Sequence, residues 1–405
     1  MIRATRHPKT SDHSLRHFKG VTEKRLYLVW LGITLCRTSS FVFNLYFMWV
    51  IVVKYDSIFL STLVPTISLL GYVIISLPEG FILDRFNSSY VGFISTILLL
   101  FAYVTLLFSR TLETIYTVDI ISSILTAILF DAFIKSSKEI MDDSKNSTVS
   151  ALNQLGSGLS NVLGIIMAGI ILISAREYLV YVLISLTLIG LLSGKPFEIR
   201  KDREKRPRKG EVRHAIKMLV PIMFLALLLN GLFVSLMIFG PTIIYIILKK
   251  GSNSFTLFEI GIPLGTLVGG IIAAEIERKL ERADVMFFSI LIMGILLILI
   301  SISRTLLIDV PAMFFIGLFT SFIEVPAFTV ILKVIPREII GEVDAIVFLV
   351  FTASAPFMAV IFTLLTPFIA VTTILLYAGI FACIIPVPSY FISKNFLKLR
   401  PEEFL

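Results

Sequence analysis

Twelve apolar runs, each long enough to cross a lipid bilayer, constrain this chain more than any other feature. A crossing helix needs about 20 consecutive apolar residues. Runs of that order fall at roughly 26–53, 58–79, 90–108, 114–134, 147–173, 178–193, 217–248, 255–274, 285–303, 308–333, 344–365 and 369–392. Inside lipid every backbone N–H and C=O must find its partner within the protein, so unbroken runs of this length are helices. Strands of an outer-membrane barrel would instead alternate over about ten residues. The composition, 57% apolar and 16% charged, excludes a soluble enzyme, for which about 45–50% and about 25% are usual. It also excludes a disordered chain, which needs low hydrophobicity and high charge. The expected fold is an all-α polytopic membrane protein with twelve transmembrane helices.

The polar segments between the runs set the topology. The first 25 residues are basic and carry no apolar core of a secretory signal. One long interruption, residues 194–216, carries Lys195, Arg200, Lys201, Arg203, Lys205, Arg206, Arg208, Lys209 and Arg213 and divides the helices six and six. In isolation such a run resembles a nucleic-acid patch. Here it reads as a topology signal, and no nucleic-acid partner is expected. Of 36 Lys and Arg, only Lys54, Arg110, Arg176, Lys249, Lys250 and Arg304 fall on the side opposite the termini, and Arg37 lies inside the first run. That asymmetry places both termini in the cytoplasm. The net charge of +8 then needs no acidic partner beyond the anionic surface of the lipid bilayer. The resulting organisation is a cytoplasmic tail over 1–25, a six-helix bundle over 26–193, a basic cytoplasmic linker over 194–216, a second bundle over 217–392 and a cytoplasmic tail over 393–405, in the cell membrane.

The two halves repeat one another at an offset of about 193 residues. Ser109-Arg110-Thr111-Leu112 aligns with Ser303-Arg304-Thr305-Leu306, Asp84-Arg85 with Glu277-Arg278, and Asp131 with Glu324. Lys138-Glu139-Ile140 aligns with Arg337-Glu338-Ile339 at a slightly longer spacing. Six helices return the chain to its starting side, so the halves are parallel pseudo-repeats, an architecture of transporters with the substrate site between the halves near mid-membrane.

Between helices 2 and 3 stands Gly80-Phe81-Ile82-Leu83-Asp84-Arg85-Phe86-Asn87. It resembles the G-x-x-x-D-R-x-G-R-[RK] loop of the major facilitator superfamily (MFS). Gly80, Asp84 and Arg85 match; Asn87 takes the place of the second glycine, and Ser88 and Ser89 that of the basic pair. Glu277-Arg278 is the weaker second copy. The resemblance spans roughly 26–392. It implies that Gly80, Asp84, Arg85, Glu277 and Arg278 form a cytoplasmic gate, that helices 1, 4, 7 and 10 line a central cavity, and that the halves rock about a bound solute. Helix 5 opens Ser150-Ala151-Leu152-Asn153-Gln154-Leu155-Gly156-Ser157-Gly158 and reaches Gly164 and Gly169; small residues of this kind allow close helix approach. The Gly-Pro pair of the drug-antiporter branch is missing, Ile165 following Gly164, and helix 4 lacks an arginine in its first part.

Polar residues inside apolar runs are the candidate transport residues, because a charge at mid-bilayer costs at least about 2.5–3.5 kcal/mol. Arg37 lies near mid-depth with Asn44 two turns further on the same face. It either binds an anionic group of the substrate or pairs with a carboxylate of its own bundle. Asp119 heads a stripe with Ser122, Ser123 and Thr126 on helix 4, as a proton site, a substrate ligand or the partner of Arg37. Asp131 and its repeat mate Glu324 read as gate residues answering Arg85 and Arg278, with a transport role open for Glu324. Asn230, beside Gly231, is the repeat equivalent of Arg37.

Cys36 and Cys383 sit in apolar runs, and the four histidines (His7, His13, His17, His214) lie in polar segments. No metal, cofactor or disulfide is therefore expected. No phosphate-binding loop or catalytic triad is present, so ATP does not drive the chain and it is not expected to be an enzyme. The reading is a secondary active transporter of a small solute, anionic if Arg37 binds it, working as a monomer on a proton or substrate gradient. Two alternatives stand: an exporter of hydrophobic compounds, and a non-transporting sensor or intramembrane enzyme on the same fold.

Overall fold

In the computed structural model, residues 12–140, 146–194, 209–275, 283–334, 340–385 and 390 are described. All of the regular structure among them is helical. The first six helices are α1 (Asp12–Tyr55), α2 (Ile58–Arg85), α3 (Ser88–Phe108), α4 (Leu112–Ile140), α5 (Asn146–Ser174) and α6 (Leu179–Ser193). The second half comprises α7 (Lys209–Pro241), α8 (Ser252–Glu259), α9 (Gly261–Glu275), α10 (Ala283–Ile302), α11 (Leu306–Val334), α12 (Ile340–Leu365) and α13 (Val371–Ile384). Ten stretches are long and apolar enough to cross a membrane, and the apolar parts of α12 and α13, Ala353–Leu365 and Val371–Ile384, are shorter. Because α8 and α9 share one crossing, Ser252–Ala273, the thirteen α-helices among the described residues fall into twelve successive apolar segments.

The helices begin and end where local chemistry allows. Tyr55 and Ile58 are joined through Asp56, whose φ of 48° falls in a left-handed region that short polar side chains tolerate. Ser57 then caps α2 by accepting from the Leu60 N–H at 3.3 Å. Helices also overrun the bilayer: α1 reaches back to Asp12 and α4 on to Ile140, since a helix keeps its own hydrogen bonds in water as in lipid. The expected seventh and eighth crossings differ in shape. Pro241 removes a backbone donor, and the chain continues from α7 as a π turn over Thr242–Ile247. The eighth crossing breaks at Ile260, between α8 and α9.

With one face of the bundle called near (that of the termini) and the other far (where α1 ends and α2 begins), the side-chain contacts joining the halves cluster far. Thr66 of α2 and Thr363 of α12 share a hydrogen bond of 3.0 Å. Trp49 of α1 stacks on Phe255 of α8 at 4.9 Å and stands edge-on to Tyr245 at 5.9 Å. Gly169 of α5 is pressed against the Thr256 side chain. Each of these residues lies within about two turns of the far end of its helix.

Candidate functional site

Three helices of the first half meet along one polar seam. Antiparallel α1 and α4 touch at three levels. The Arg37 guanidinium lies over the Phe130 ring, 4.7 Å from its centre. Ser40 and Thr126 share a hydrogen bond of 2.9 Å. The Asn44 amide donates to Asp119 Oδ1 at 3.1 Å. Residues 37, 40 and 44 recur at helical spacing, so one face of α1 carries all three. α2 closes the seam: Ser68 Oγ accepts from Asn44 at 2.6 Å and donates to Asp119 Oδ1 at 2.6 Å. A turn further, Gly71 faces Ser123, whose hydroxyl occupies the space a Cβ would need. Ser123 donates back to the Ile120 carbonyl at 2.9 Å, and Thr126 to that of Ser122 at 2.6 Å.

Asp119 has no exposed surface. Its Oδ2, like Asn44 Oδ1, is buried without a hydrogen-bond partner. Arg37 is partly exposed; its aromatic contact is a cation–π interaction. Among the described residues no carboxylate comes within ion-pair distance of Arg37, so Arg37 and Asp119 belong to one seam without being paired. Hydropathy flagged Arg37, Asn44, Asp119, Ser123 and Thr126, but it had no way to give Ser68, Ser40 or Phe130, which depend on how the helices are registered against one another. The hydroxyl-rich start of α2 (Ser61, Thr62, Thr66, Ser68) was the available signal.

At the near end the sequence motif takes an unexpected form. α2 ends at Arg85, Phe86 is extended, and Asn87 caps α3 by accepting from the Ser89 N–H at 3.0 Å. The asparagine standing in for glycine therefore acts as a helix cap, the role short polar side chains favour. Ser88 is buried and bonds to Ser136 of α4 at 2.8 Å, where the motif has a basic residue. Lys135 donates to the Leu83 carbonyl at 2.9 Å, closing the end of α2. Gly80 faces open space and Arg85 is exposed. The side chain of Asp84, and Glu277 and Arg278 altogether, lie outside the described residues. Asp131 meets Glu79, a carboxyl that the sequence reading passed over, across the α2–α4 contact. Glu79 lies beyond the apolar stretch Ile58–Ser76 of its helix. Burial first, then the hydrogen bond and charge of Asp131, push it up to about 8.

In the second half Asn230 is exposed and donates to Ser354 of α12 at 3.3 Å. Glu324 on α11 is exposed, whereas its repeat mate Asp131 is half-buried. The repeat therefore preserves position without preserving surroundings.

Twelve apolar crossings in two six-helix halves, with a polar seam at mid-depth, define the fold of a polytopic membrane transporter. The chain belongs to the Major Facilitator Superfamily, whose sequence profile matches residues 29–359. A comparison of the sequence with curated proteins finds no match. Among solved structures it is similar to a bacterial homologue of the human lysosomal transporter Spinster, inward-facing and unoccupied, with a TM-score of 0.71 at 11% identity over 94% of this chain and 98% of that one. A POT family transporter in complex with 5-aminolevulinic acid gives 0.73 at 12% identity over 92% and 96%. A D-xylose-proton symporter gives 0.70 at 15% identity over 93% and 98%. These likenesses are of fold. The family and its neighbours are those of transporters rather than enzymes.

Proposed function

We propose that this protein is a secondary active transporter that takes a small organic anion at Arg37 and moves it across the cell membrane by alternating access. The observation that carries this reading is a guanidinium inside the first crossing that is covered by a phenyl ring and has no counter-charge beside it among the described residues. An arginine keeps its charge in proteins, and one without a carboxylate inside a bilayer calls for an anion to complete it. A carboxylate or a phosphate suits its fork of donors. Asn44, Ser68 and Asp119 lie along the same seam. The unpartnered oxygens of Asn44 and Asp119 offer acceptors to hydroxyl or amine groups of the same solute, and Asp119 is a candidate carrier of a coupling proton. Proton-coupled and small-solute transporters among the structural neighbours support both parts of the reading.

The bundles over 26–193 and 217–392 act as the moving bodies. With its far contacts closed, this arrangement is the one that opens toward the near face. Positive charge on the near-face segments makes that face cytoplasmic, with both termini there. Gly80, Asp84, Arg85, Asp131, Glu277 and Arg278 form the gate that closes it. One polypeptide contains the whole seam, so a monomer suffices.

A thermal-shift screen of the purified protein and Arg37→Ala tests the anion assignment. Small carboxylates, phosphates, sugars, amino acids and lipophilic drugs serve as probes, since a ligand of the folded state raises the melting temperature with concentration. The expected result is that at least one anion stabilises the native protein and loses about tenfold or more in apparent affinity in the variant. Equal stabilisation of both by lipophilic compounds alone would sink the assignment and favour the exporter.

A further inference from the structure

The second half buries a carboxyl group that the transport reading leaves unused. Glu259 ends α8 and is the one charged residue between Lys250 and Glu275. It is 9% exposed, and its Oε1 is sealed from solvent with no hydrogen-bond partner. That oxygen presses on the backbone of Gly240 so closely that a Cβ there would overlap it. Phe255, one turn earlier on the same face of α8, also lies against Gly240, its Cε2 3.4 Å from the position of such a Cβ. Phe255 is the ring that Trp49 stacks on from the other half. Glu259 thus sits one turn beneath the aromatic contact that closes the far face. The backbone around it departs from regular α-helix on both sides, at the π turn over Thr242–Ile247 and at the break at Ile260. π turns recur at functional sites.

We propose that Glu259 is a proton-binding site whose occupancy governs closure of the far-face contact between the two halves. This goes beyond the assignment of Arg37 and holds for whatever solute the protein carries. In the closed arrangement an ionised carboxylate would share its charge with an Oε1 that has neither a donor nor water beside it, and burying charge in this way is unfavourable. The neutral acid avoids that penalty. Parting Trp49 from Phe255 admits water to Glu259, and its proton can then pass to water.

The elements packed around it carry charged groups of their own. Lys249 and Lys250 follow the π turn, Arg176 follows α5, and Asp309 lies beside Arg304 at the far end of α11. α9 is uncharged up to Glu275, and Tyr245 faces Trp49. A proton that binds more tightly to the closed arrangement stabilises it, so acid favours closure and alkali favours opening.

Spin labels at Lys54→Cys and Asn253→Cys, both exposed at the far face, report the separation of the halves by pulsed dipolar spectroscopy in a Cys36→Ala, Cys383→Ala background. As pH rises from about 5.5 to about 8.5, the open-to-closed ratio should grow by up to about tenfold per pH unit, the slope of one linked proton. Glu259→Gln, which keeps the shape of the acid, should stay closed throughout. Gly240→Ala, which displaces the carboxyl, should open more readily at low pH; both variants are compared at matched melting temperature. A flat profile in the native background overturns the proposal, as does an unchanged pH response in Glu259→Gln. A population that follows sodium at fixed pH through Glu259 also overturns it, in favour of a metal-cation site.

Discussion

Arg37 and Asp119 share a seam and do not pair, and the register of α1 against α4 explains why. Asn44, which holds Asp119, is seven residues beyond Arg37, a rise of about 10 Å along the helix. Ser68 and Asn44 have already taken Asp119 Oδ1, so the carboxylate is anchored near the far end while the guanidinium remains available. Glu79 and Asp131 form the contrasting arrangement at the near end, two carboxyls in direct contact. The Glu79 carboxyl, raised to about 8 from an ordinary value of 4.5, binds its proton more tightly when folded than when unfolded. Its contribution to stability is therefore complete below about pH 4.5 and declines as pH rises toward 8, beyond which nothing further is lost. Melting curves at a series of pH values should show that decline in the native protein and a shallower one in Glu79→Gln. Parallel curves would mean that Glu79 is no more a proton holder folded than unfolded.

At the scale of whole helices, small residues decide which crossings come closest. Gly261, Gly265 and Gly269 form a ridge along α9 against α11, where Gly317 completes the fit from the other side. Membrane helices gain no hydrophobic drive from one another and rely on such close packing. A Cβ at Gly269 would fall 2.5 Å from the Leu318 carbonyl oxygen and 2.9 Å from its Cα, both backbone atoms that cannot swing aside. Gly269→Val should therefore destabilise the protein by about 1–3 kcal/mol, the usual cost of overpacking, seen as a lower melting temperature in detergent. An unchanged melting temperature would show that α9 and α11 are free to separate. The crossings themselves were legible because bilayer thickness fixes their length and lipid forbids other backbone shapes. The break at Ile260 and the π turn after Pro241 were not, since hydropathy averages over the few residues that make them. Glu259 was in plain view as a lone charge in an apolar run, but a reading organised by repeats passed over a residue whose equivalent in the first half is uncharged. Ser68 and Phe130 carried no such mark; only the packing of α2 and α4 on α1 makes them part of the seam.

For the molecule as a whole, alternating access requires that the far contacts seen here be made and broken as a unit. Thr66 and Thr363 join the halves through hydroxyls 3.0 Å apart, so cysteines at these positions would face each other across the contact. Thr66→Cys with Thr363→Cys, in the Cys36→Ala, Cys383→Ala background, should cross-link readily under mild oxidation and hold the far face shut. Glu324 lies in the near half of α11 and is exposed, so if far closure opens the near side, a cysteine at that position should react with a maleimide at least as fast in the locked protein as in the reduced one. The logic is one of populations: a lock that removes the alternative arrangement leaves the near-open form as the only one present. Slower labelling after locking would show that far closure and near exposure are not coupled, and that the two bundles do not move as rigid bodies about the Arg37 seam. Faster labelling, reversed by reduction, would measure how much of the free protein spends its time closed on the near side. That fraction bounds how far any solute must shift the equilibrium to be carried across.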